Sequence, residues 1–368
     1  MKKIYLSPPH LTGKEAEYFE EVLKSGWIAP IGSCIDKFEQ LILQKTKGKY
    51  ALATNSGTSA LHLALCCAAI QEGDYVLVSS FTFVASANPI LYQKAIPIFI
   101  DSDEKSWNIC PIALENALIN CHQQQIFPKA LIITHLYGQA ADMDAIIKIK
   151  EKYNFILIED AAEAVGTTWD KQHVGTFGEF GFFSFNGNKI ITTSAGGMLL
   201  TKEEDNRKKA LFLATQAKED APHYQHNEIG FNYRLSNILA AMGITQLDAL
   251  EKRIKKKKKI FNTYQQKLDK KIALMPHLSK SKGNYWLSCV LFEDYTQKEK
   301  VRLALAQNNI ETRPLWKPLH LQPLFSQYLY FGENIAEKLF EKGLCLPSGT
   351  QLTEKEQSLI IELIHQNL

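Results

Sequence analysis

The sequence has 368 residues, 45 % hydrophobic and 22 % charged, which fits a globular protein with room for two domains. That balance excludes a disordered, collagen-like or disulfide-stapled chain, and 42 Lys and Arg against 39 Asp and Glu leave only +3, too little to argue for a nucleic-acid or membrane partner. The seven cysteines form no CxxC pair, so they read as reduced thiols of a cytoplasmic protein without a metal site. No signal peptide is expected from the Lys2-Lys3 start, and the most apolar window, 61–70, falls short of the roughly 20 residues of a bilayer span.

In chain order, short apolar runs alternate with helical patterns from about residue 50 to 200. The runs 51–54, 75–79, 97–100, 130–134 and 155–159 are rich in Val, Ile, Leu and Phe and lack polar alternation, as strands buried on both faces of a parallel sheet do. Segments of helical length, such as 58–70 and 143–153, lie between them, which predicts a layered α/β domain. Two further runs, 181–185 and 196–201, are separated by a turn with no room for a helix and predict a mixed, mostly parallel sheet. A long helical stretch from about 235 to 268 then links a large domain, residues 1–245, to a smaller α+β domain, residues 246–368. In the smaller domain a strand candidate covers 286–292, helices lie near 298–308 and 334–342, and a last helix starts at Glu354. Five consecutive lysines at 255–259 lie inside the linking helix. Consecutive residues point all round a helix, so this run is expected to be a solvated turn with no ligand.

Three segments carry chemistry. Glu159-Asp160-Ala161-Ala162-Glu163 closes the run 155–159, and acidic residues at the C-terminal end of a buried parallel strand sit where open α/β sheets place ligands. An Asp there also serves as a plain helix cap. Lys189 stands in Phe185-Asn186-Gly187-Asn188-Lys189, between two apolar runs and close to Gly196-Gly197. Desolvation lowers a lysine's pKa and readies its amine for a Schiff base. An aldehyde cofactor on Lys189 needs an anion near its ring nitrogen, and Asp160 lies on a neighbouring strand end. Asn55-Ser56-Gly57-Thr58 joins a strand to a helix whose first amides suit a phosphate, with Gly57 permitting close approach. A simple cap by Asn55 or Ser56 accounts for the same residues. Neither a P-loop nor a GxGxxG is present, so ATP and dinucleotides are disfavoured.

Together these segments resemble the fold-type I pyridoxal-phosphate aminotransferases, and more narrowly the DegT/DnrJ/EryC1/StrS family of nucleotide-sugar aminotransferases. The resemblance runs from Tyr5-Leu6-Ser7-Pro8-Pro9-His10 to Leu346-Pro347-Ser348-Gly349-Thr350. It includes Gly26-Trp27-Ile28-Ala29-Pro30, Ser80-Phe81-Thr82-Phe83, His135-Leu136-Tyr137-Gly138 and Phe231-Asn232-Tyr233-Arg234. It implies pyridoxal 5'-phosphate as cofactor, with Lys189 forming the Schiff base and shuttling the proton to the sugar's C4. Asp160 holds the pyridine nitrogen protonated. By the same resemblance Gly57, Thr58 and Ser184 bind the phosphate, Phe81 stacks on the ring, and Glu163 lies beside it. Asn232 reaches the phosphate in a neighbouring subunit, which implies a homodimer with shared sites, and Arg234 meets the diphosphate of the substrate across that interface.

Two positions depart from the family pattern. Many members carry His or Gln where this chain has Glu163, and Ala195 stands in a run that is more often all glycine, where it fits if its φ is negative. The likeness is greatest to enzymes that aminate UDP-linked 4-keto-6-deoxy-N-acetyl sugars, as in bacillosamine and related surface-glycan pathways. It is carried by His223-Tyr224-Gln225-His226, by 232–237, and by Arg313-Pro314-Leu315-Trp316-Lys317-Pro318-Leu319-His320. In the last segment Arg313, Trp316, Lys317 and His320 are the expected sugar-nucleotide lining. L-glutamate is the expected amino donor. A GDP-perosamine-type synthase acting on GDP-4-keto-6-deoxymannose is the alternative.

Overall fold

The structure, a computed structural model, describes residues 2–368. Two amphipathic helices, α1 (Glu15–Ser25) and α2 (Ser33–Thr46), precede the first strand. Then follow β1 (Tyr50–Thr54), α3 (Gly57–Cys67), β2 (Tyr75–Ser79), α4 (Asn88–Tyr92), β3 (Ile96–Ile100), α5 (Pro111–Gln123), β4 (Ala130–Thr134), α6 (Met143–Tyr153) and β5 (Ile156–Asp160). A small hairpin, β6 (Thr168–Trp169) and β7 (Gln172–His173), leads to β8 (Phe180–Ser184) and β9 (Gly197–Thr201). The strand runs in the sequence thus mark strands to within a residue or so. No separate helix is expected from the sequence for α1, α2 or α5.

Apart from the β6–β7 hairpin, these strands build one sheet in the order β1-β9-β8-β5-β4-β2-β3, joined at the far edge by a short strand from the C-terminal part, Tyr330–Phe331. Pairings from β3 through β8 are parallel, while β9 runs antiparallel to both β8 and β1. The mixed, mostly parallel sheet expected from the helix-free turn between β8 and β9 is therefore present. Both faces are covered. Leu77, Ile98, Leu131, Ile133 and Leu157 pack into one core and Val76, Val78, Phe99, Ile132 and Ile158 into another. Adjacent strand residues point to opposite faces, so a sheet covered on both sides leaves no polar alternation in the sequence.

After β9 come α7 (Glu204–Ala214), α8 (Asn237–Asp248) and α9 (Leu250–Lys267). The long helical stretch is thus two helices, broken at Ala249. The C-terminal part has a four-stranded antiparallel sheet of β10 (Ala273–Leu274), β12 (Ser288–Leu291), β15 (Gly343–Leu346) and β13 (Arg313–Pro314). Between them in the chain lie β11 (Ser281–Lys282), which pairs with β6, and β14, the Tyr330–Phe331 strand in the large sheet. Helices α10 (Tyr295–Gln307) and α12 (Glu354–His365) pack around a third apolar cluster, while α11 (Ile335–Lys342) buries Ala336 and Leu339 in the first. A reciprocal capping box between Thr353 and Glu356 starts α12 where the sequence places it.

The lysine run departs from its expected role. Lys257 is 2 % exposed, because the buried stripe of α9 runs through Leu250, Arg253, Lys257, Ile260, Phe261 and Tyr264. Its neighbours Lys255, Lys258 and Lys259 are exposed. All seven cysteines are free thiols. No helix among the described residues is long and apolar enough to cross a membrane.

Candidate active site

The C-terminal ends of β2, β4, β5 and β8 meet the N-terminus of α3 around a cavity of about 280 Å³. This is where a parallel sheet exposes its strand-end loops and a helix its free amides. Asp160 and Glu159 are consecutive on β5 and therefore face opposite sides. Glu159 is fully buried away from the cavity, accepting from the amides of Gly175, Phe177 and Gly178 at 2.6–2.8 Å and from His135 Nε2 at 3.0 Å. Ala141 donates to His135 Nδ1, which leaves Nε2 as the protonated nitrogen. Glu159 thus pins the loop that enters β8.

Asp160 faces the cavity. Ser86 Oγ donates to its Oδ2 at 2.5 Å and the Ala162 amide to its Oδ1 at 3.0 Å. Thr134 donates to Thr82, which bonds Ser86, so a chain of hydroxyls orients the carboxyl. Burial pushes the Asp160 pKa up, opposed by these donors and by the nearby Lys189 charge. A protonated ring nitrogen is the cation that this buried carboxyl lacks. Glu163, one turn on, accepts from the Tyr137 amide at 2.7 Å and lies 3.7 Å from Lys189 Nζ. Burial raises its pKa to about 7, against the pull of Lys189.

Lys189 lies on the loop between β8 and β9, with a side chain 13 % exposed and its Nζ 4.2 Å from the ring centre of Trp286. Opposite, Ser56 caps α3 by accepting from the Ser59 amide at 3.0 Å, while Gly57 and Thr58 line the cavity. The cap and the phosphate-site readings of this segment are therefore compatible. A Cβ on Gly57 would come within 3.1 Å of Ser184 Cβ, so the helix start and the end of β8 form one close cradle. Ala195 adopts no positive φ. Its neighbours Ser194 (φ +71°) and Gly196 (φ +156°) take the left-handed region. An amine, a buried carboxyl and a helix N-terminus converging on this volume fit a pyridine aldehyde phosphate.

Three expectations are corrected, those for Phe81, His320 and Lys317. Phe81 is 2 % exposed in the sheet core, and Phe83, two residues on, lines the cavity 5.3 Å from Trp316. Arg234, expected to act across a subunit interface, is held within its own chain by Glu39 at 2.9 Å and the Ala53 carbonyl at 3.0 Å and does not line the cavity of that chain. His320 spends both ring nitrogens, on Ser80 Oγ at 2.7 Å and Glu337 Oε1 at 3.1 Å, and stacks on Tyr330. Lys317 is exposed and lines neither the 280 Å³ cavity nor its neighbour. Asn232 is exposed, with its carbonyl held by Asn55 Nδ2 at 2.9 Å, and does not line the cavity of its own chain.

Arg313 and Trp316 line a second cavity of about 560 Å³, together with Tyr5, Ser7, Tyr137 and Glu311. It shares Phe83, Asn188, Trp286 and Trp316 with the first. The rings of Trp286, Tyr137 and Trp316 stack in series, with Tyr137 Oη accepting from the Trp316 amide at 2.9 Å. Trp286, Phe83 and Ser86 escaped the sequence reading. Trp286 lies in a run taken for a strand, and its aromatic character next to a strand start was the available signal.

Comparison with known proteins accords with this geometry. EpsN of Bacillus subtilis (strain 168), provisionally named as a pyridoxal phosphate-dependent aminotransferase, is 49 % identical over 99 % of this chain and 95 % of its own. A GDP-perosamine synthase of Escherichia coli O157:H7 is 37 % identical over 100 % of this chain and 99 % of its own. Among solved structures, a DegT DnrJ EryC1 StrS aminotransferase from Brucella abortus superposes with a TM-score of 0.91 at 27 % identity, covering 96 % of this chain and 95 % of that one. The family model spans residues 9–365, and with it this chain belongs to the DegT/DnrJ/EryC1/StrS aminotransferase family, whose cofactor is pyridoxal phosphate.

Proposed function

We propose that this enzyme moves the amino group of L-glutamate onto C4 of a UDP-linked 4-keto-6-deoxy-N-acetylhexosamine, making a 4-amino sugar nucleotide for surface-glycan synthesis in the cytoplasm. The observation that carries the reaction class is the Lys189 amine sharing one cavity with buried Asp160 and the start of α3. When bound, pyridoxal phosphate supplies an electron sink at the carbon that exchanges its proton. Gly57, Thr58 and Ser184 would hold its phosphate, and Asp160 would keep the ring nitrogen protonated. Lys189 Nζ gives and takes the proton at the sugar's C4, with Glu163 holding the amine from 3.7 Å. Phe83, Trp286 and Trp316 exclude water from that exchange.

The second cavity supports the sugar-nucleotide reading. Its stacked aromatics suit a base and a sugar, and Arg313, paired with Glu311 at 3.1 Å and 70 % exposed, is free to turn toward a diphosphate. The exposed Asn232 supports a homodimer in which it serves the partner's phosphate site. Motif likeness around 313–320 favours the UDP sugar. The relatives named as GDP-perosamine synthases favour the alternative, GDP-4-keto-6-deoxymannose. Supplying each keto sugar with L-glutamate and following 2-oxoglutarate decides between them. Turnover of the UDP sugar is expected, and turnover of the GDP sugar alone would reject the first reading.

A further inference from the structure

The two peptide carbonyls that flank Lys189 are held by contacts that lead back to one helix. Arg253 of α9 donates from Nη1 to the Ile190 carbonyl at 2.9 Å. One turn later, Lys257 Nζ donates to the carbonyls of Trp286 at 2.8 Å and Ser348 at 2.9 Å, and lies 3.5 Å from Ser7 Oγ. Trp286 Nε1 and Ser7 Oγ in turn donate to the Asn188 carbonyl, at 2.8 and 3.3 Å. The circuit therefore closes from Lys257 through Trp286 and through the N-terminal arm onto the peptide immediately before Lys189. The same indole lies 4.2 Å from Lys189 Nζ.

Lys257 is an unusual choice for this place. It is 2 % exposed, and no carboxylate among the described residues pairs with it. Burial, with Arg253 as the charged group facing it, pushes its pKa down to about 7. A methionine of similar length would fill the space without desolvating an ammonium. What an apolar chain lacks is the set of N–H donors, and those of Lys257 match the three oxygens around it.

We propose that Lys257 is a positioning residue for the transamination site, locking Trp286 and the N-terminal arm onto the peptide that precedes Lys189 and so fixing where the Lys189 amine points. This rests on the reading of Lys189 as the cofactor's lysine. A displacement of this kind acts on the chemical step through the Lys189 amine, and Trp286 and Ser7 also carry it to the larger cavity that they line.

The test uses the full-length protein with Lys257→Met, Lys257→Arg and Ser7→Ala. Lys257→Met is expected to keep its far-UV circular dichroism yet shift the Trp286 emission of the cofactor-free protein, isolated by subtraction against Trp286→Phe. Its kcat should fall about 10-fold or more, and Lys257→Arg should recover both emission and kcat. Ser7→Ala, at a partly exposed side chain, should give a smaller loss in the same direction. A folded Lys257→Met with wild-type emission and kcat overturns the proposal, as does failure of rescue by arginine. If Lys257→Met does not fold, an unchanged kcat in Ser7→Ala overturns it instead. The emission readout needs no cofactor, so it tests the circuit separately from the role of Lys189. Persistent turnover in Lys189→Ala would reject that role by itself.

Discussion

Glu163 shows how much one buried side chain sets at the residue scale. Its carboxyl is held up to about 7 chiefly by desolvation, whereas an ordinary glutamate titrates near 4.5. Between those values the folded protein keeps a proton that the unfolded chain has lost. Glu163 therefore lowers stability progressively as pH rises from about 4.5 to 7, by on the order of 3 kcal/mol in all. Glu163→Gln cannot ionise, so the cofactor-free variant should match the wild type in melting temperature near pH 4.5 and exceed it by several degrees at pH 8. Equal melting temperatures at both pH values would rule out this account. The neighbouring Glu159 shows the contrast. Both carboxylates were visible in the motif at the end of β5, but only strand alternation sends Asp160 to the cavity and Glu159 to the loop amides behind it. Phe81 and Phe83 lie beyond the end of β2, where the chain has left strand geometry, so that one ring enters the core and the other, two residues on, reaches the site.

At the scale of elements, the site depends on close packing between helices far from the chemistry. Gly243 of α8 faces Phe38 of α2, where a Cβ would lie 2.6 Å from the ring. Phe38 is fully buried and its ring is 5.1 Å from that of Phe185, at the start of the loop that carries Lys189. Gly243→Ala adds about 1 kcal/mol of helix propensity but forces the ring aside, an overpacking that costs about 1–3 kcal/mol. The expected result is a lower denaturation midpoint in urea together with weaker pyridoxal phosphate binding, because the displacement passes through Phe185. A midpoint above that of the wild type would show that the ring yields freely. Sequence periodicity placed α8 and α9 in a single helix. The break at Ala249 is set by how the two halves pack against different neighbours, which local pattern does not encode.

For the whole molecule, the decisive expectation is that each active site draws on two chains. Neither Asn232 nor Arg234 lines the cavity of its own chain. Mixing Lys189→Ala with Asn232→Ala after reversible dissociation should restore activity that neither variant has alone. Random pairing makes half the dimers mixed, each with one intact site, so about a quarter of wild-type activity is expected. No recovery on mixing would mean that the sites are complete within one chain.

The order of the central strands, the mixed sheet and the meeting of Lys189 and Asp160 at one cavity were legible in the sequence. Each follows from local pattern or from a motif whose residues are neighbours along the chain. The partners of Arg234, His320 and Lys257 were not, since they come from segments tens to hundreds of residues away. The five lysines are identical as letters, although the stripe from Leu250 to Tyr264 passes through position 257. Of 368 residues with a net charge of +3, it is packing that selects one lysine of that run for burial. A side chain's type fixes which bonds it is able to make, and the tertiary structure decides which of them remain after water has been removed.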